Sequence, residues 1–196
     1  MVGLAKKENK MILNEGGYKV CINKVCDFNP LESKDDYDLM IDAFEGSDNG
    51  SDAALVIHIE DSTVTKTIAI YGSWSLSEDS SVVTNDGILT ILADPKIYQI
   101  RLYDISVTHG RILDTLGSNL AIYKVLSGCL IQGELEITRL DENLNTIWCF
   151  EGKEVFVDNY NGQAFEIRND RIILNDWQDN HYELNFAGNL IVGPAK

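Results

Sequence analysis

Along residues 133–192, apolar and polar side chains alternate in short runs broken by turn residues. In Tyr182-Glu183-Leu184-Asn185-Phe186 the large apolar residues occupy every second position, and Phe165 and Ile167 alternate with Ala164, Glu166 and Arg168. A period of two marks a half-buried strand, because successive side chains point to opposite faces of a sheet. Asn161-Gly162 lies between Val157 and Phe165, and Asn-Gly favours a tight hairpin because both residues tolerate positive φ. Asn169-Asp170 and Ala187-Gly188-Asn189 separate the next apolar runs. Connections this short make neighbouring strands antiparallel, so residues 129–196 are expected to form an antiparallel meander.

The earlier chain reads in the same way. A first strand is expected over residues 18–25, after the turn-like Asn14-Glu15-Gly16-Gly17, and a loop over 28–36 around Pro30. Tyr37, Leu39, Ile41 and Ala43 alternate with acids, and residues 45–52 are loop. Residues 53–60 and 64–71, rich in β-branched side chains, form a hairpin across Asp61-Ser62-Thr63. The serine-rich stretch 72–81, with Trp74, interrupts the pattern. A second hairpin spans 88–103 across Ala93-Asp94-Pro95-Lys96, a turn is expected at His109-Gly110, a helical turn near 114–119, and a buried strand over 120–126. No window sustains an i, i+3, i+4, i+7 apolar stripe. About fourteen strands at this spacing predict an all-β fold: antiparallel meanders forming a sandwich, barrel or small propeller-like assembly with little helix. The expected organisation is a flexible segment over 1–17, a β-rich lobe over 18–128, and the meander of 129–196 packed on it as one structural unit.

Two stretches of the meander look like copies. Leu140-Asp141-Glu142-Asn143-Leu144-Asn145-Thr146-Ile147 and Leu184-Asn185-Phe186-Ala187-Gly188-Asn189-Leu190-Ile191 share the leucine, the asparagine five residues on, and the final isoleucine, at an offset of 44 residues. That period suits a four-stranded propeller blade. With Ile147-Trp148 and Phe150 following, the first copy resembles the repeat of quinoprotein-type (PQQ-like) β-propellers over about sixty residues. The resemblance implies that Trp148 packs between blades. It departs from the family where Leu144 or Asn145 stands in place of the usual glycine. The family's cofactor does not carry over, because the chain has no adjacent cysteine pair and no matching site residues, and no cofactor is expected.

Charge adds a second line of argument. The formal net charge is −15 over 196 residues. Such a surface repels nucleic-acid phosphates and anionic membrane and attracts basic proteins. The acids concentrate at Asp27, Glu32, Asp35, Asp36, Asp38, Asp42, Glu45, Asp48, Asp52, Glu60 and Asp61, against Lys34 alone. No apolar run approaches a membrane-spanning length, and no apolar segment follows the basic start to form a secretory signal. The four cysteines, Cys21, Cys26, Cys129 and Cys149, are expected to be reduced thiols in a cytoplasmic protein. Cys21 and Cys26 should face opposite sides of one strand, and Cys149, between Trp148 and Phe150, should behave as a small core hydrophobe.

Catalytic chemistry finds little support. His58, His109 and His181 lie far from one another and from cysteine in chelating spacing, so no metal site is expected. Gly72-Ser73-Trp74-Ser75 lacks the second glycine of a nucleophile elbow, and no phosphate loop or dinucleotide fingerprint occurs. Asp48-Asn49-Gly50-Ser51-Asp52 has glycine at the third calcium-ligand position and Ile59 where a closing glutamate belongs. A carboxylate pair for hydrolysis cannot be picked out among so many acids, so no catalytic residue is named. Two readings stand. The first is a non-catalytic acidic protein that binds and neutralises a basic protein partner, as nuclease-immunity proteins do, through Asp35, Asp36, Asp38, Asp42, Glu45, Asp48 and Asp52. The second is a module for a carbohydrate or small polar ligand, with or without calcium, built on Asp176, Trp177, Asp179, Asn180 and Tyr182. Oligomeric state is not legible.

Overall fold

A computed structural model describes residues 10–43, 53–72, 78–157 and 163–194. Among them are seventeen strands, and helix is confined to one turn, α1 (Glu78–Ser81), and a 3-10 turn at Lys34–Asp36. The chain divides into two compact units, Met1–Gly110 and Arg111–Lys196.

The first unit opens with β1 (Lys10–Glu15) and β2 (Tyr18–Cys26), an antiparallel pair closed by Gly16-Gly17 at φ 56° and 89°. Two successive positive φ angles match the right-handed twist of the flanking strands, and glycine supplies them without steric cost. With β3 (Leu39–Asp42), β4 (Ala53–Glu60) and β5 (Thr65–Gly72) they form a five-stranded sheet in the order β1-β2-β4-β5-β3. A second sheet holds β6 (Val82–Asn85), β7 (Ile88–Ala93), β8 (Lys96–Arg101) and β9 (Ser106–Ile112) in chain order. One core draws on both sheets, with Ile22, Leu55, Ile57, Ile68 and Ile70 from the first and Leu89, Ile91 and Ile100 from the second. Each such side chain, fully withdrawn from water, contributes about 1.5–3 kcal/mol.

The second unit is two four-stranded meanders. One is β10 (Asn119–Val125), β11 (Gly128–Gly133), β12 (Glu136–Leu140) and β13 (Thr146–Glu151); the other is β14 (Phe165–Arg168), β15 (Arg171–Asn175), β16 (His181–Asn185) and β17 (Leu190–Val192). Every pairing in them is antiparallel between sequence neighbours, the form of a propeller blade. Leu130, Ile137, Phe156, Phe165, Ile172, Leu174, Tyr182 and Leu184 form their shared core. The buried Arg139 guanidinium donates to the carbonyls of Leu126, Ser127, Cys129 and Leu140 at 2.5, 2.8, 3.1 and 2.5 Å, closing the β10–β11 turn. Burial pushes the neighbouring Cys129 thiol up to about 12.

The all-β expectation holds, with differences in detail. Residues 10–15 lie in the segment expected to be flexible and instead pair with β2 along their whole length. The division falls at Gly110, not near residue 128, because Val125↔Gly128 belongs to one hairpin that a cut there would sever. His109-Gly110 is not a turn but the middle of β9; the reversal comes earlier, where Asp104 accepts the Ser106 backbone N–H at 3.1 Å. No helical turn forms over residues 114–118. β3 pairs with β5 in parallel, unlike the pairs β1-β2, β2-β4 and β4-β5 in the same sheet, which are antiparallel. Cys149 is exposed: Trp148 and Phe150 turn toward the core, so the residue between them must turn away. All four cysteines are free thiols, with Cys21 buried and Cys26 exposed on the same strand.

Candidate functional site

β4 and β5 are buried on both faces. Ile68 and Ile70 point into the main core, whereas Ala69, with Ala54 and Val56, lines a smaller one on the opposite face of the sheet. The segment linking β2 to β3 covers that face. Phe28 packs there with its ring 5.9 Å from Tyr71 and 5.8 Å from Tyr37, so aromatic contacts pin both ends of the crossing. Between the pins the backbone is tied locally. The Asn29 side chain accepts the Leu31 N–H at 3.1 Å, the Asn29 carbonyl accepts that of Ser33 at 3.2 Å, and the Ser33 carbonyl accepts that of Asp36 at 3.1 Å. Asp38 then joins β5 twice: its N–H donates to the Thr67 carbonyl at 2.9 Å, and its carboxylate accepts the Thr67 N–H at 2.7 Å.

This strap carries the acids. Asp27, Glu32, Asp35, Asp36 and Asp38 are exposed, with Lys34 the cation among them, and Asp42 is half-buried in β3. Of the other acids expected to join the site, Glu45, Asp48 and Asp52 lie outside the described residues, as does Trp74. Burial and then Asp36 raise the Tyr37 hydroxyl; burial and then Asp42 raise that of Tyr71. The two pinning rings therefore stay neutral beneath the negative surface.

The strap reaches β3 at the end of the sheet that holds a cleft of about 540 Å³, lined by Asn14, Glu15, Gly16, Gly17, Tyr18, Lys19, Glu60 and Asp61. Register puts them there: Glu15↔Tyr18, Lys19↔Glu60 and Glu60↔Thr65 are successive pairs across β1, β2, β4 and β5, and Leu39↔Ile68 aligns the start of β3 with the same end. Lys19 bonds Glu60 at 3.0 Å. The Thr63 backbone N–H, its hydroxyl and the Val64 N–H hold the Asp61 carboxyl below its usual value. Glu15 accepts the Thr84 hydroxyl at 3.2 Å. Glu60 and Asp61 were visible in the acidic run; Glu15 was not, because only the register of three strands brings it to them.

The residues of the alternative site are brought together, but most are engaged with one another. Asp176 is fully buried; it accepts the Gln178 and Asn180 N–H groups at 3.0 Å each and the Tyr182 hydroxyl at 2.9 Å. Burial acts to raise its carboxyl, and the bonds from Asn180, Tyr182 and Gln178 outweigh it, holding the group below its usual value. Tyr182, also buried, accepts the Lys153 N–H and packs edge-on against Phe150 and Phe156. Asp179 and Trp177 face solvent, the indole 51% exposed.

That turn is a third copy of the repeat, which the sequence reading missed. Asp141, Asp176 and Asn185 each open a five-residue connection, donating N–H to the carbonyl of the asparagine four residues on, at 2.9, 3.1 and 3.0 Å. In each, the side-chain oxygen accepts the N–H groups two and four residues ahead. The fourth position has positive φ in all three: Leu144 at 63°, Asp179 at 58° and Gly188 at 82°. Trp148 donates its indole N–H to the Phe186 carbonyl at 3.1 Å and lies against Gly188, joining the two sheets of the second unit as the resemblance implies. Among the described residues, no three His, Cys, Asp or Glu side chains gather to hold a metal ion. Nor is any helix among them long and apolar enough to cross a membrane.

No protein-family model matches the sequence, and no curated protein matches it. Among solved structures, BamB from Moraxella catarrhalis is similar at 10% identity and a TM-score of 0.49, over 94% of this chain and 63% of that one. The computationally designed Ika8 protein is similar at 9% identity and a TM-score of 0.48, over 93% of this chain and 60% of that one. The chain thus spans about three fifths of the length of these structures.

Proposed function

We propose that this chain is a non-catalytic, cytoplasmic binding protein that takes a basic protein partner on the strap over residues 27–38 and the adjoining sheet end, neutralising it in the manner of an immunity protein. The observation that carries the reading is the strap itself: five exposed carboxylates against one lysine, on backbone already tied at both ends. Fixed charges of one sign steer an oppositely charged partner and raise its association rate. Because the backbone is ordered beforehand, less entropy is lost on docking. The test is association of the intact chain with immobilised basic proteins across a salt series, with Asp35→Asn/Asp36→Asn alongside. The rate should fall at least tenfold from 20 to 500 mM salt, as screening shortens to a few ångströms, and the variant should be slower at low salt. Binding indifferent to both would overturn the reading.

A carbohydrate or small polar ligand is the second reading. It is favoured by the exposed indole of Trp177 beside Gln178, whose amide bonds Glu154 at 3.0 Å. A glycan array and a thermal shift on adding calcium test it, and silence in both retires it.

A further inference from the structure

We draw no further inference here: the strongest candidate, the cleft of about 540 Å³ at the end of the first sheet lined by Glu15, Tyr18, Lys19, Glu60 and Asp61, belongs to the surface already described, and nothing in the structure shows what occupies it.

Discussion

Gly188 and Trp148 offer the sharpest test of how the second unit is held together. A Cβ built on Gly188 would lie 2.7 Å from both Cγ and Cδ2 of Trp148, where ordinary contact begins near 3.4 Å. Gly188→Ala therefore carries two costs. The backbone at φ 82° disfavours any L side chain, by about 1 kcal/mol. The indole must also retreat, overpacking the junction by about 1–3 kcal/mol and straining the 3.1 Å bond to the Phe186 carbonyl. The sum is about 3 kcal/mol. In a Trp148→Ala background the ring is gone, so the same glycine substitution should cost only the backbone share, about 1 kcal/mol. Trp148→Ala alone should cost about 2–4 kcal/mol, at or a little below the usual range for a large aromatic because the ring is half-buried. Urea denaturation followed by far-ultraviolet circular dichroism of the four chains gives the cycle, and the coupling should be about 1–3 kcal/mol. Additive costs would show that the ring and the turn do not meet, and the inter-sheet role of Trp148 would fall.

Four further outcomes follow. Tyr182→Phe removes a hydroxyl that serves both Asp176 and the Lys153 N–H, and should lower stability by about 1–2 kcal/mol in urea titration. The depressed carboxyls of Asp176 and Asp141 contribute stability that is present above their unfolded value, near 3.9, and is lost as pH falls through their lower folded values. Stability against pH should thus decline mainly below about pH 4, and Asp176→Asn should flatten that decline while lowering the plateau. Ellman's reagent should label exposed Cys26 and Cys149 rapidly, and buried Cys21 and Cys129 only on unfolding; rapid reaction at Cys129 would contradict its burial. Arg139→Met strands four carbonyls and should cost about 2–4 kcal/mol, seen in the same titration.

The elements that the sequence made legible are those whose signals are local. β14 to β17 follow from alternation and connections of two to five residues, because the physics of a short antiparallel hairpin is contained within about a dozen residues. β6 escaped notice although Asp86-Gly87 is a strong turn dipeptide, at φ 49° and 74°, because the serine-rich stretch before it masks a four-residue strand. The third turn copy was hidden by Asp179, which takes the left-handed position more often given to glycine. β3 could not be paired in advance: a parallel partner is reached only through a long excursion, and nothing near Leu39 names β5.

The acidic strap divides along the same line. Its charges are a property of composition and were plain from Asp27, Glu32, Asp35, Asp36 and Asp38. What turns a run of acids into a surface is the contact of Phe28 with Tyr37 and with the distant Tyr71, and the pair of hydrogen bonds between Asp38 and Thr67. Without those pins each carboxylate would ride on a free loop, and ordering it against a partner would offset much of the Coulomb gain. With them, the loss of order has already occurred on folding, driven by burial of aromatic area on Ala54, Val56 and Ala69. Fold and acidic surface therefore share one cause: alternation on β4 and β5 leaves a second apolar face, that face must be covered, and the segment that covers it holds its acids outward.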